Sequence, residues 1–278
     1  MTITQLLSSA TQRLTAAGSD EPQANAEWLL ACTLGVTRTW ILSHPDYTPT
    51  QEELALYEKY ITRKATGEPL SHIVGYQPFG GLDILVSPDV LTPRPETEEL
   101  VDLVSALYDQ KQPYAFLDMC TGSGCIACAL AKRFSHAQIL AVDVSEKALF
   151  VAQKNIKKFR LYEQVHLLQS NLWEGVTGTF DLIISNPPYI PSSIVDTLTK
   201  EVLREPRLAL DGGADGLDVV RPLCSAAGDY LNPGGWLALE LCKGQAAAVA
   251  RGLCEFGWKA DVKKDIVGIE RFVLAQKI

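Results

Sequence analysis

Residues 185–190 read Ser-Asn-Pro-Pro-Tyr-Ile and directly follow an apolar run, Phe180-Asp181-Leu182-Ile183-Ile184. The tetrapeptide Asn186-Pro187-Pro188-Tyr189 suits one chemical problem, the methylation of a weakly nucleophilic planar nitrogen. In an amide or aryl amine the nitrogen lone pair is delocalised into a π system. Attack on a methyl group then needs acceptors for the two N–H bonds and a surface that holds the plane. The side-chain oxygen of Asn186 and the backbone carbonyl of Pro187 are such acceptors, and Tyr189 has a stacking face. Pro187 and Pro188 stiffen the turn, so hydrogen bonding and orientation are both set before reaction. The same four residues also suit a strand-ending turn without chemistry. By itself the tetrapeptide leaves both readings open.

A second cluster carries the marks of a nucleotide site. Phe116-Leu117-Asp118-Met119 runs into Cys120-Thr121-Gly122-Ser123-Gly124 and then into a helix. Glycines at such a turn let the backbone approach a ligand, and open sheets bind ligands at the carboxyl ends of their strands. The next strand ends in Ala141-Val142-Asp143, whose carboxylate can accept from both hydroxyls of a ribose. The third ends in Gln169-Ser170-Asn171-Leu172-Trp173. There Asn171 can bond the edge of an adenine while Leu172 or Trp173 packs on its face; Trp173 equally suits a core anchor. Neither G-x-G-x-x-G nor G-x-x-x-x-G-K-[ST] occurs, so no pyrophosphate cradle is evident. Combined with Asn186–Tyr189, the glycines and the acid predict S-adenosylmethionine as the cofactor.

These residues need a frame. From Ala115 onward strands and helices alternate, which predicts an α/β fold with a mostly parallel sheet and helices on both faces. Strands are expected near 115–119, 138–143, 165–169, 180–185, 235–241 and 270–275, and helices near 124–134, 145–159, 215–231 and 245–256. Pro93-Arg94-Pro95-Glu96 opens a helix through Leu100, Val101, Val104 and Leu107, with acidic residues where the macrodipole favours them. Ahead of it, Leu82, Ile84 and Val86 alternate between glycines, a hairpin signal. The N-terminal part reads as helices. Leu6, Leu7, Ala10 and Leu14 share a face, Pro22 and Gly35 bracket a second helix, and Thr50 with Glu53 forms a capping box before a third. The expected division is a helical domain over 1–70, a hairpin linker over 71–92 and a catalytic domain over 93–278.

Bulk properties remove several classes. At 278 residues and 47% apolar the chain has enough material for a sizeable core. A net charge of −8 opposes duplex binding, which draws most of its affinity from Lys and Arg on phosphates. No apolar run reaches the length of a membrane span, and the N-terminus lacks the regions of a signal peptide. The seven cysteines show no zinc spacing. Cys125 and Cys128 fall in a run of small helical residues and are expected as buried free thiols. No metal is expected, and the expected location is the cytoplasm.

Taken together, the chain resembles the release-factor glutamine methyltransferases, the HemK or PrmC family, from about Glu68 to the C-terminus. The resemblance is carried by Glu68-Pro69-Leu70, Gly75-Tyr76, Leu91 to Glu98 with its R-P-E-T-E, Asp118 to Gly124, Asp143 and Asn186 to Tyr189. It continues through Glu205-Pro206, Ala209 to Gly213, Asp215-Gly216-Leu217, Asn232 to Gly235 and Glu270-Arg271. Membership would imply a Rossmann-like S-adenosylmethionine-dependent methyltransferase domain behind a helical domain that binds the release factor. It would also imply a role in translation termination, methylating N5 of the glutamine in the Gly-Gly-Gln motif of class 1 release factors. Carried over, Cys120, Thr121, Gly122, Ser123, Gly124, Asp143, Asn171 and Leu172 would hold the cofactor together with Asn186. Asn186, Pro187, Pro188 and Tyr189 would hold the substrate, with Arg94 and Glu96 near the cofactor's entrance.

Three positions depart from the family pattern. The family usually has Gly at the positions of Cys120 and Cys242, and Asp at that of Asn171. A Cβ at residue 120 is expected to need an ordinary φ or slightly more room. Two rivals share the motifs: a DNA adenine N6-methyltransferase acting on a flipped base, and a cofactor-binding scaffold with a vestigial loop. The acid excess opposes the first, and the intact Asn186 and Tyr189 oppose the second. His44, His72, His136 and His166 are scattered and are not needed for the transfer.

Overall fold

The computed structural model describes residues 1–277, which group into two compact units. The first comprises Met1–Tyr76 and the distant segment Thr199–Arg204. It contains α1 (Ile3–Ala16), α2 (Pro22–Leu34), α3 (Arg38–Ser43), α4 (Gln51–Ala65) and α5 (Leu70–Val74). Thr2 with Gln5 and Thr50 with Glu53 close reciprocal capping boxes that satisfy orphan amides of α1 and α4. Gly35 ends α2 at φ 65°, a left-handed cap that glycine adopts without a Cβ penalty. Leu14, Leu29, Leu30, Ile41 and Ile61 fill the interior of the bundle. The Lys64 side chain, 1% exposed, reaches Glu201 at 2.5 Å. A buried ammonium needs such a counter-charge, and it comes from the 199–204 segment.

The second unit comprises Gln77–Leu198 and the chain from Glu205 onward. After a two-stranded hairpin, β1 (Tyr76–Phe79) and β2 (Leu82–Leu85), come α6 (Pro95–Ser105), β3 (Ala115–Met119), α7 (Cys125–Arg133), β4 (Gln138–Asp143) and α8 (Glu146–Phe159). Then follow β5 (Val165–Gln169), β6 (Phe180–Ser185), α9 (Ser192–Val195), α10 (Val220–Ala227), β7 (Leu231–Glu240), α11 (Ala246–Glu255), β8 (Trp258–Lys264) and β9 (Glu270–Lys277). The large sheet has the order β5-β4-β3-β6-β7-β9-β8. The pairs from β5 to β7 are parallel, whereas β9 is antiparallel to both β7 and β8.

Alternating side chains of each strand feed opposite faces. Phe116, Ile139, Leu182 and Ile184 pack under α6, α7 and α8, while Leu117, Val142, Ile183 and Leu237 pack under α10 and α11. The chain winds outward from β3 in both directions, with β4 on one side and β6 on the other. That reversal opens a crevice at the carboxyl ends of the strands, where such folds bind ligands.

The α/β architecture follows the sequence expectation closely, with four additions. Short helices α3, α5 and α9 and the edge strand β8 were not anticipated. In β8 the apolar residues Trp258, Ala260 and Val262 alternate with Lys259, Asp261 and Lys263. Charged positions of this kind protect an edge from pairing with another chain, and the alternation is itself a strand signal that the sequence reading passed over. The helix expected over 215–231 is shorter, Val220–Ala227.

Candidate active site

A cavity of about 490 Å³ lies at the carboxyl ends of β3, β4, β5 and β6. Its walls include Cys120–Ser123 after β3, Asp143 at the end of β4, Ser170–Leu172 after β5, and Asn186 with Pro188 after β6. Arg94 and Thr97 contribute from the start of α6.

At one end of the cavity the backbone does most of the positioning. Buried Asp118 accepts from Thr121 Oγ1 at 2.5 Å and from the Ala127 amide at 3.1 Å, tying the loop to the first turn of α7. Burial pushes its carboxyl up to about 7, against the pull of those two donors. Asp143 accepts from the Gly122 amide and from the Ser145 amide, each at 2.9 Å. These bonds fix the carboxylate and still leave lone pairs for a ligand. Burial raises its pKa, and the same backbone amides oppose the rise. A Cβ built on Gly122 meets no atom within 4 Å, so the loop leaves open space on its outer side. On Gly124 it would lie 3.1 Å from the Ala152 Cβ. Gly124 therefore serves close helix packing, at φ 77°.

Cys120 corrects an expectation. It sits at φ 62°, in the left-handed region, and not at an ordinary φ. The loop keeps a backbone shape that glycine adopts freely and that an L side chain strains. Cys242 shows no such departure, since the non-glycine residues at positive φ are Glu21, Cys120, Arg160 and Leu172. Cys125 and Cys128 are buried free thiols, and burial pushes Cys128 up to about 12.

Asn171 and Leu172 both line the cavity, and the Asn171 side chain donates to Glu174 at 3.0 Å. Trp173 does not line it. Its indole N–H donates to the Pro222 carbonyl at 3.2 Å, and its ring stacks on Tyr230 at 4.5 Å, which makes it an anchor of the second core.

At the opposite end, side chains do the positioning. Asn186 donates from Nδ2 to Thr97 Oγ1 at 2.9 Å, and the Thr97 hydroxyl donates to Glu240 Oε2 at 2.7 Å. The Tyr189 hydroxyl donates to Glu240 Oε1 at 3.1 Å, and the Tyr189 carbonyl accepts from Gln245 at 2.9 Å. Pro187 and Tyr189 are not among the residues that line the cavity. Burial raises the Glu240 carboxyl, while Thr97, Tyr189 and Arg271 favour its charged form.

Of the two residues expected at the entrance, Arg94 lines the cavity and pairs with Glu205 at 2.5 Å. Glu96 does not line it and faces Arg271 at 3.8 Å. Glu205 also accepts from the Thr92 amide at 3.0 Å. None of the four histidines lines the cavity.

Sequence reasoning passed over Thr97, Glu240 and the pairing role of Glu205. Two signals were present. Thr97 lies inside the R-P-E-T-E run, and Glu240 ends a central strand on the side of the sheet where ligands bind.

Comparisons with known proteins point to methyltransferases. Residues 5–75 match the family model of the PrmC N-terminal domain, and residues 100–220 match that of the methyltransferase small domain. The chain is 43% identical over 259 residues to a release factor glutamine methyltransferase of Geobacter sulfurreducens, covering 92% of this chain and 90% of that one. It is 38% identical over 280 residues to a protein of the same name from Koribacter versatilis, covering 100% and 99%. Among solved structures it is similar to a methyltransferase from Pyrococcus furiosus, with 26% identity and a TM-score of 0.53 over 71% of this chain and 90% of that one. A ribosomal protein L11 methylase from Lactobacillus delbrueckii has 22% identity and a TM-score of 0.52 over 73% and 89%, a likeness of fold alone.

Proposed function

The chain belongs to the family of release factor glutamine methyltransferases, and on that premise we propose that it methylates N5 of the glutamine in the Gly-Gly-Gln motif of class 1 peptide chain release factors, with S-adenosylmethionine as donor. The observation that carries this reading is the seat of Asn186. It stands on the wall of the same cavity as the 120–124 loop and Asp143, backed by hydrogen bonds that fix its side chain.

The residues present fit the cofactor. The open space beside Gly122 and the fixed carboxylate of Asp143 suit a close-packed methionyl part and a ribose. Asn171 and Leu172 would take the adenine. When bound, S-adenosylmethionine supplies a methyl carbon activated by a sulfonium leaving group.

This chain's own residues prepare the nitrogen. Asn186 Oδ1 and the Pro187 carbonyl accept the two amide N–H bonds and draw the lone pair out of conjugation, as preorganised acceptors do. Pro188 stiffens the turn. Tyr189, tethered through its hydroxyl to Glu240, packs against the glutamine plane. No strong base is required, because an N-protonated amide is very acidic and sheds its proton readily. The helical unit is assigned the docking of the release factor, in the cytoplasm, with no membrane or direct nucleic-acid contact. Among the described residues no helix is long and apolar enough to cross a membrane.

The test is incubation with S-adenosylmethionine and either a full-length class 1 release factor or unmethylated DNA, followed by location of the methyl group by mass spectrometry. Methylation of the Gly-Gly-Gln glutamine, absent in a Gln→Ala substrate, is the expected result. Transfer to adenine alone would replace it with the DNA reading.

A further inference from the structure

The Asn186 side chain can turn either its oxygen or its amino group into the cavity, and only the oxygen accepts a substrate N–H. What lies behind it decides. The Thr97 hydroxyl has one proton, and it is given to Glu240 Oε2 at 2.7 Å. Only lone pairs remain on Thr97 Oγ1 for Asn186, and lone pairs demand a donor. Nδ2 fills that demand at 2.9 Å. The other oxygen of Glu240 is occupied by the Tyr189 hydroxyl at 3.1 Å. Both oxygens of Glu240 accept, one from Thr97 and one from Tyr189, so both hydroxyl protons point inward to it and the whole chain runs one way. Thr97 is 2% exposed and Glu240 1%, which shields the chain from exchange with water.

Resting on the amide-methylation reading, we propose that Thr97 and Glu240 are positioning residues that lock the Asn186 amide with Oδ1 toward the substrate nitrogen. Neither would touch the reacting atoms. Their effect passes through the direction of one proton. Without it the Asn186 amide is free to rotate by half a turn and to present two donors to a substrate that also presents donors.

Three variants separate this from ordinary packing. Thr97→Val keeps the shape and removes the hydroxyl, Thr97→Ser keeps the hydroxyl, and Glu240→Gln places a donor where two donors converge. Each is assayed on full-length release factor, for S-adenosylmethionine affinity, and for binding of a Gly-Gly-Gln peptide in the presence of S-adenosylhomocysteine. Thr97→Val and Glu240→Gln are expected to lower kcat by about 10–10²-fold and to weaken peptide binding, with cofactor affinity near wild type. Thr97→Ser is expected to recover most of the turnover lost in Thr97→Val. Hydrogen exchange of the Asn186 side-chain N–H₂, followed by NMR, gives a readout without substrate. Protection is expected in wild type and Thr97→Ser and should be lost in Thr97→Val.

Wild-type turnover in Thr97→Val would overturn the proposal. So would equal losses in Thr97→Ser and Thr97→Val that track a lowered melting temperature. If wild-type enzyme left the release factor unmethylated, the functional reading would fall. The exchange pattern would still decide the orientation of the amide.

Discussion

The two ends of the cavity are built by different means. At the cofactor end, Asp143 meets the amide of Ser145 two residues on and that of Gly122 21 residues back. Most of the donors are backbone groups of two adjoining strand-turn-helix units. At the transfer end the partners are side chains drawn from across the chain: Asn186 and Thr97 are 89 residues apart, Tyr189 and Glu240 51, and Thr97 and Glu240 143. Backbone donors keep their positions when a side chain is changed. Side-chain relays lose their geometry with any one member. The cofactor end should therefore degrade gradually and the transfer end abruptly.

Asn186→Ala is the sharpest test of that contrast. Turnover should fall by about 10²–10³-fold, the usual cost of one preorganised hydrogen-bonding group at a reacting centre. Calorimetric affinity for S-adenosylmethionine should hardly change. Wild-type turnover in this variant would remove the amide-gripping role. Asp143→Ala should act at the other end alone, weakening cofactor affinity by about 10–10²-fold, the loss of hydrogen bonds to a charged acceptor. At saturating cofactor its kcat should approach wild type; a collapse of kcat there would show that the two ends are not separable.

Asp118 supports the cofactor end from below. Its second oxygen has no hydrogen-bond partner. Its carboxyl is pushed from 3.8 up to about 7 by burial, so the folded protein holds a proton that the unfolded chain has released. Stability from this group is greatest below the unfolded value. It falls as pH rises through the window up to about 7, then levels. Asp118→Asn cannot ionise, so the wild type should lose on the order of 4 kcal/mol relative to it across that window. Parallel melting-temperature profiles from pH 4 to 8 would contradict the shift. The smallest effect belongs to Cys120→Gly. Relief of left-handed strain is partly offset by the extra freedom of glycine in the unfolded chain, leaving a change under about 1 kcal/mol. A large loss of stability would mean that the Cβ packs productively.

The same contrast explains what the sequence made legible. Apolar runs ending in Asp143 or Asn186, the glycine turn after Met119 and the capping box at Thr50 are local patterns, and they appear where local chemistry predicts. Thr97 reads as a residue in a helix start, because the carboxylate that gives it a direction lies 143 residues later. The φ of Cys120 is hidden for another reason. A non-glycine residue in the left-handed region is uncommon, and its identity argues against the conformation it takes. Nothing in Thr199–Arg204 marks it as belonging with the helical bundle, since membership there depends on the Lys64–Glu201 ion pair, a hydrogen bond from Arg204 to the Thr66 carbonyl and surrounding packing.

That segment bears on the order in which the molecule is completed. A ribosome releases Lys64 long before Glu201, which lies 137 residues further along. At ordinary elongation speeds the delay is roughly 7–27 s. During it the nascent bundle holds an ammonium group with no carboxylate to meet it. A unit whose helices are synthesised well before Glu201 is thus among the last to be finished, and no single cut in the polypeptide releases it whole.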